Sequence, residues 1–492
     1  MYAAPTIFAQ NGSAISRNRY RFNTFRSRKR RIMEKDVLGI SVKFEFIPGL
    51  DPEFIPFSAF IESYLQSAKK PIAVALERDN RSIQVFQTYI HGTEMYKAAD
   101  RLYIERIVKC ILWTRGGYKL YICGDYEMYQ FISRVYSEGG TRSFDSDFMS
   151  QVYGRPFCVI YCEYADRPTE RQSSIPIGRN LNGCRIGFDA GGSDRKVSAV
   201  IDGEPVFSEE VIWHPKTNAD PAYHYAGILD SFKKAAAHMP RVDAIGVSSA
   251  GIYIDNQTKI ASLFLKVPPE DFQKAVTNIY IDAAREIGPD IPLVVANDGD
   301  VAALAGAMSL KKNSVLGIAM GTSEAGGYID QNGNITGWLN ELAFVPLDLA
   351  PSAIADEWSG DTGCGVKYFS QDGVIKLCPA AGINLDEQAT PAEKLKVVQE
   401  LMEAEDPRAL GIYKTIGIWL GYALKLYKLF YNTEEVLLLG RVVSGPGGNI
   451  ILEHAETVLK TEYPNLSINI SLPSEETRRV GQSVAAASLP AI

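Results

Sequence analysis

Cysteine is sparse and unpatterned. The seven, Cys110, Cys123, Cys158, Cys162, Cys184, Cys364 and Cys378, are odd in number and lack paired metal-ligand spacing. They argue against a disulfide framework or a zinc ribbon and read as reduced thiols of a cytosolic protein. Long apolar runs are missing too: no stretch reaches the ~18 uninterrupted apolar residues of a membrane span. Nor does one sign of charge dominate. With 51 basic and 58 acidic residues the net charge is -7, against the basic footprint of a dedicated nucleic-acid binder.

What remains is an ordinary globular composition with room for several domains. The 492 residues are 46% hydrophobic, enough for more than one core. Residues 1–35 stand apart, with Arg17, Arg19, Arg21, Arg26, Arg28, Lys29, Arg30 and Arg31 preceding the first acid, Glu34. An Arg-rich, acid-poor start suits a transit peptide, a nucleic-acid arm or a disordered leader, and we read a disordered leader. Residues 36–180 read as an α+β domain without a chemical motif. Strands are expected at 72–76, 82–86, 119–123 and 157–161, a helix at 103–113, and a linker over 167–182. From Arg185 onward, strands, Gly-rich turns and helices alternate as in layered α/β proteins.

The chemistry concentrates in this second part. Arg185-Ile-Gly-Phe-Asp189-Ala-Gly191-Gly192-Ser193 reads as a strand entering a turn whose paired glycines let backbone N–H groups approach a phosphate. Asp189, at the strand end, suits a water-mediated Mg²⁺ contact. The same grammar recurs at Ser314–Met320, Gly321-Thr322-Ser323 and Gly326-Gly327, so two facing hairpins could grip phosphates from both sides. A third strand, Glu435–Leu439, opens into Gly440-Arg441 and the glycines up to Gly448; this is neither a Walker loop nor a dinucleotide fingerprint. Between the hairpins, Ile291–Ala296 ends in Asn297-Asp298. A carboxylate there suits a general base for a hydroxyl, or simply caps the helix expected at 301–310.

Together these segments resemble the ROK family of sugar kinases and regulators, within the hexokinase–actin superfamily, over Arg185 to the C-terminus. Gly246-Val-Ser-Ser-Ala-Gly251 is similar to the family's Gly-rich strand ahead of the sugar site. The resemblance implies an α/β, two-lobed actin-like (ribonuclease H-like) ATPase core behind the extra N-terminal α+β domain. The first lobe would span 181–300, the second 301–477, and a helix at about 478–492 would return to the first. It implies a cytoplasmic ATP-dependent kinase of a hexose or related sugar, with no nucleic-acid or membrane partner. Asp298 would be the general base, and Asn297 and Glu341 would bind substrate. Gly191, Gly192, Ser193, Gly321, Thr322, Ser323, Gly440 and Arg441 would bind ATP, and Asp189 would hold Mg²⁺ through water. The chain departs from the family where a Gly-Glu-x-Gly-His segment is usual: Asn340-Glu341-Leu342-Ala343-Phe344 keeps Glu but puts Phe344 at the His. The Cys-rich zinc loop is reduced to Gly363-Cys364, and Val366 replaces a sugar-binding Glu, so no structural zinc and an altered sugar pocket are expected.

The aromatic loop Trp213-His214-Pro215 could stack on a sugar or be plain surface, and Gly411–Tyr431 reads as a core or homodimer helix. A non-catalytic sugar- or nucleotide-responsive regulator of the ROK type is the alternative function; residues 36–180 look strand-rich rather than helix-turn-helix.

Overall fold

In the computed structural model of the protein, residues 32–172, 177–473 and 481–492 are described. The basic run from Arg17 to Arg31 therefore lies outside the described residues, as do part of the expected linker and the start of the expected C-terminal helix.

The first lobe is a five-stranded sheet. Its centre, Cys184–Ala190, is flanked on one side by Ala244–Ser249 and Leu293–Asn297, all parallel. On the other side Asp194–Ile201 and Glu204–Ile212 continue antiparallel. The second lobe repeats the start of this plan in four strands. Val315–Met320 pairs antiparallel with Glu324–Ile329 and parallel with Glu435–Leu439, which pairs with Asn469–Ser471. Two sheets, each opening with a hairpin and continuing in parallel strands, make a two-lobed, actin-like α/β core. Ala244–Ser249 is buried throughout, as a parallel strand covered on both faces must be.

Two helices tie the lobes together, and glycine makes room for them. Asp298–Leu310 leaves the first sheet and packs on the second, so it crosses the boundary expected at residue 300. Gln482–Ala487 returns from the second lobe onto the first sheet and is shorter than the 478–492 expected. A Cβ at Gly187 would lie 1.8 Å from the Ser483 carbonyl oxygen, and one at Gly246 1.7 Å from that of Ala486. In the second sheet a Cβ at Gly317 would come within 2.9 Å of Ala303 Cβ. Strand glycines thus mark where a helix crosses close to the sheet.

The N-terminal residues form no free-standing unit. Their sheet, in the order Ile83–Ile90, Lys70–Glu77, Lys119–Cys123, Cys158–Cys162, is there, and Arg171 of the expected linker adds a bridge to Ile83 at its edge. The helix spans Lys97–Arg115, longer than expected, and is almost wholly buried. One continuous apolar core runs from these elements into the second lobe, joining Trp113, Phe57 and Tyr64 to Trp419, Tyr422 and Leu316. A further hairpin, Met33–Val37 with Ile40–Phe44, begins inside what the sequence marked as leader: Met33, Glu34 and Lys35 are strand residues. Pro407–Tyr427 is a core helix of this joint body.

Candidate active site

The parallel strands of the first lobe all end at one edge, and crevices outside such carboxyl ends are where α/β sheets hold ligands. Register brings Ser248 beside Asp189, and Ser249 beside Asn297. The Ser248 hydroxyl donates to Asp189 Oδ1 at 2.8 Å. Burial raises the Asp189 carboxyl to about 6, with Ser248 opposing and the Asp298 charge adding. Gln482, the first residue of the returning helix, donates through Nε2 to Ser248 Oγ and to the Asp298 carbonyl, both at 3.0 Å. Asp189, Ser248, Gln482 and Asp298 are thus one connected group.

Asp298 is the first residue of its helix rather than its cap, and the helix starts three residues earlier than expected. Asn297 is the cap: its Oδ1 accepts from Gly299 N at 2.7 Å while Nδ2 donates to the Gly251 carbonyl at 2.8 Å. This fixes the Gly251 turn against the strand end. The Asp298 carboxylate accepts from Gly299 N at 3.0 Å. It lies deep in the cleft but keeps a solvent-facing side. Burial raises its pKa, and the Gly299 N–H and the Lys216 charge oppose that.

Lys216 was not singled out by the sequence, and Trp213 was weighed there only as part of an aromatic loop that stacks on a sugar or is plain surface. The Lys216 side chain lies over the first glycine turn, where a Cβ at Gly192 would sit 3.0 Å from Lys216 Cε. One flexible cation therefore reaches both Gly192 and the field of Asp298. Trp213 is neither surface nor sugar platform. It is buried, and its indole N–H donates to the Gly191 carbonyl at 2.7 Å while its backbone N–H donates to Ser193 O at 3.1 Å. It holds the turn from beneath, leaving Gly192 and Ser193 exposed at the tip. His224 packs edge-on to Trp213 and bonds to the Asn218 carbonyl.

In the second lobe Thr322 and Ser323 are exposed at the hairpin tip, and Gly321 N–H donates to Ser323 O at 3.0 Å. The Gly440 turn lies alongside, because Val442 N–H donates to Met320 O at 3.0 Å and a Cβ at Gly440 would lie 2.4 Å from that oxygen. With φ at +93°, Gly440 also occupies backbone space that favours glycine. Arg441 is exposed beside it. A cavity of about 330 Å³ opens next to this turn, bounded by Gln399, Tyr413 and Ser444–Gly447. Gly326 and Gly327, by contrast, are not part of a phosphate turn. They lie inside the strand, and a Cβ on Gly327 would meet Gly299 O at 2.2 Å and one on Gly326 Asn340 O at 2.5 Å. They let the Asp298 helix and the Asn340 loop close onto the hairpin.

Asn340–Glu341 is held by the N-terminal region. The last carbonyls of the Lys97–Arg115 helix, normally left open, accept the N–H groups of this loop: Trp113 from Glu341 at 2.9 Å, Thr114 from Asn340 at 3.2 Å and Arg115 from Leu339 at 3.3 Å. Phe344 stacks on Trp113 with ring centroids 4.1 Å apart. Asn340 donates to Asp300 Oδ1 at 2.8 Å and accepts from Tyr431. Glu341 is left with a carboxylate that accepts no hydrogen bond among the described residues; burial, then the charges of Asp298 and Asp300, push it to about 7. A cavity of about 440 Å³ adjoins Asn297 and Asp300, walled by Gly251, Tyr253 and Leu339 and by Tyr153 from the N-terminal region. At Gly363-Cys364 the neighbourhood is ionic: Asp361 is bound by Arg106, Lys109 and Arg142, and no group of three or more His, Cys, Asp or Glu among the described residues is arranged to hold a metal.

No family model matches the chain, and no curated relative does. Among solved structures it is similar to a ROK hexokinase from Thermus thermophilus, at 18% identity and TM-score 0.47 over 62% of this chain and 97% of that one. It is also similar to a ROK-family glucokinase from Streptomyces griseus in complex with glucose and AMPPNP, at 19% identity and TM-score 0.44 over 62% and 98%. A third is a ROK-family transcriptional regulator, a homolog of the E. coli MLC protein, at 18% identity and TM-score 0.46 over 63% and 79%. The likeness is to ROK proteins. It is a likeness of fold, met by both kinases and a regulator.

Proposed function

We propose that the chain transfers the γ-phosphate of ATP to a hydroxyl of a hexose or related sugar. The observation that carries this reading is the setting of Asp298: a carboxylate at the strand ends, deep in the cleft, under the charge of Lys216 and hydrogen-bonded to no side chain among the described residues. Asp298 would accept the proton of the acceptor hydroxyl as its oxygen attacks phosphorus. Glu341, whose carboxylate accepts no hydrogen bond among the described residues, would accept from a second hydroxyl, and the remaining Nδ2–H of Asn297 would donate to another.

The tips at Gly192-Ser193 and Thr322-Ser323 would cradle phosphates, with Gly191 and Gly321 shaping the turns and Gly440-Arg441 bordering the nucleoside. Asp189 suits a water-mediated Mg²⁺: Oδ1 is held by Ser248, and Oδ2 has no side-chain partner among the described residues. Such an ion would neutralise phosphate charge. Lys216 would add charge from the protein itself.

The test is an ADP-release screen over sugars, amino sugars and sugar acids with Mg·ATP. Turnover with one class supports the reading. ATP binding without turnover on any of them overturns it and leaves the nucleotide-responsive regulator, a reading favoured by Phe344, which replaces a polar group with a ring packed on Trp113.

A further inference from the structure

Outside the cleft, a cavity of about 460 Å³ lies between the edge of the N-terminal sheet and the second lobe. Its wall carries Arg78, Arg115, Arg171 and Lys428, against the single acid Asp330 among the described residues. Asp330 is turned into its own loop, where Oδ1 accepts from Asn332 N and Asn334 N, each at 2.8 Å.

Arg115 is the unusual member. It is 6% exposed, and its Nε and Nη1 have no hydrogen-bond partner among the described residues. No carboxylate among the described residues forms an ion pair with it. Its guanidinium instead lies flat on Trp338, 3.2 Å from the ring centroid, and Trp338 stacks in turn on Tyr328 at 5.1 Å and 4°. Stacking holds a guanidinium by its face and leaves its edge donors for a planar or tetrahedral oxyanion. A buried cation without a paired carboxylate is costly, and Arg115 is lowered to about 10, chiefly by burial. The Arg78 charge adds to that cost, and Tyr431, Tyr328 and the Glu170 charge oppose it. Arg78 is fixed to the carbonyls of Gly337 at 2.6 Å and Thr336 at 3.3 Å, and Lys428 to that of Thr433. Of the four cations only Arg78 has an ion pair among the described residues, Nε with Asp79 Oδ1 at 3.6 Å, so the wall keeps an excess of positive charge.

We propose that this cavity is a binding site for a phosphate-bearing anion, held by Arg115 at its base and by Arg78, Arg171 and Lys428 around it. The site is separate from the catalytic reading and does not depend on it. It adjoins that region: Arg78, Thr336 and Trp338 line both this cavity and the one beside Asn297, and the Arg115 carbonyl caps the Leu339 loop.

The experiment is calorimetric titration of the full chain, in low chloride, with inorganic phosphate and with ribose 5-phosphate. Melting temperatures are read alongside. At least one anion is expected to bind and to raise the wild-type melting temperature. Binding should weaken at least tenfold in Arg171→Gln/Lys428→Gln, which alters the rim and leaves Mg·ATP binding intact, and should vanish in Arg115→Met. Without phosphate, Arg115→Met should melt no lower than wild type, because an unbalanced buried charge is removed; a purely structural stacking role would lower it. Preference for ribose 5-phosphate would assign an organic monoester, and equal binding would assign the phosphate group alone. Absence of binding by both anions, or equal binding by wild type and the rim variant, would overturn the proposal, the latter placing the anion at the glycine turns.

Discussion

The two lobes open with the same hairpin and then part ways. After its hairpin the first lobe adds Glu204–Ile212 as a third antiparallel strand. After Ile329 the second lobe makes one bridge, through Ile335, and the chain leaves the sheet to cap the end of the Lys97–Arg115 helix. The repeated part is scaffold: a strand, a glycine turn and a helix crossing over a strand glycine. The divergent part is where the N-terminal region enters the second lobe, and it carries Glu341. In the proposed reading, nucleotide-side geometry would follow from the lobes, whereas substrate-side geometry would be set jointly with residues 33–172.

The crossing helices give the largest test of that symmetry. Gly246→Val would drive a side chain into a backbone carbonyl 1.7 Å from its Cβ, and Gly317→Val into an alanine methyl 2.9 Å away. Overpacking typically costs about 1–3 kcal/mol. Gly317→Val should fall there, and Gly246→Val above about 4 kcal/mol, in the tail reserved for unrelievable clashes. Denaturant melts compare them, and equal losses would break the argument that the returning helix is the tighter contact.

Next comes the divergent side. Trp113→Ala removes a buried ring against Phe344 and the indole N–H given to Asp145 at 3.1 Å, a loss of about 3–5 kcal/mol. If the N-terminal helix sets the Glu341 loop, KM for the acceptor should rise more than KM for ATP. Equal rises would sever the link between that helix and the substrate side.

The pH dependence sharpens the same contrast. Folding raises the Glu341 carboxyl from 4.5 to about 7. Between those values the folded state keeps a proton that the unfolded chain has lost, so stability falls as pH rises through this window. Glu341→Gln should flatten that slope in melts taken from pH 4.5 to 7. An unchanged slope would mean that the carboxylate is already paired. The smallest effect belongs to Asn297→Ala, which removes a helix cap for about 1 kcal/mol.

Legibility in the sequence followed distance along the chain. The Asp189-to-Ser193 turn, the repeated hairpin and the Asn297-Asp298 strand end could be read because strand, turn and polar residue are adjacent. Gln482 could not: it reaches Ser248 over more than two hundred positions, and a helix of six residues leaves almost no periodic signal. Lys216 was hidden, and the role of Trp213 left open, in a loop whose conformation decides whether a side chain points out or under. Gly326 and Gly327 were visible but ambiguous, since close backbone packing and phosphate approach call for the same residue. Phe344 stood out only as an oddity until Trp113 supplied its partner.

The most direct test of the account is the turnover of Asp298→Asn with whichever sugar the wild type accepts. A general base contributes about 10²–10⁴-fold, so kcat should drop by that factor while melting temperature and Mg·ATP affinity stay near wild type. A folded, ATP-binding Asp298→Asn protein that turns over at the wild-type rate would contradict it.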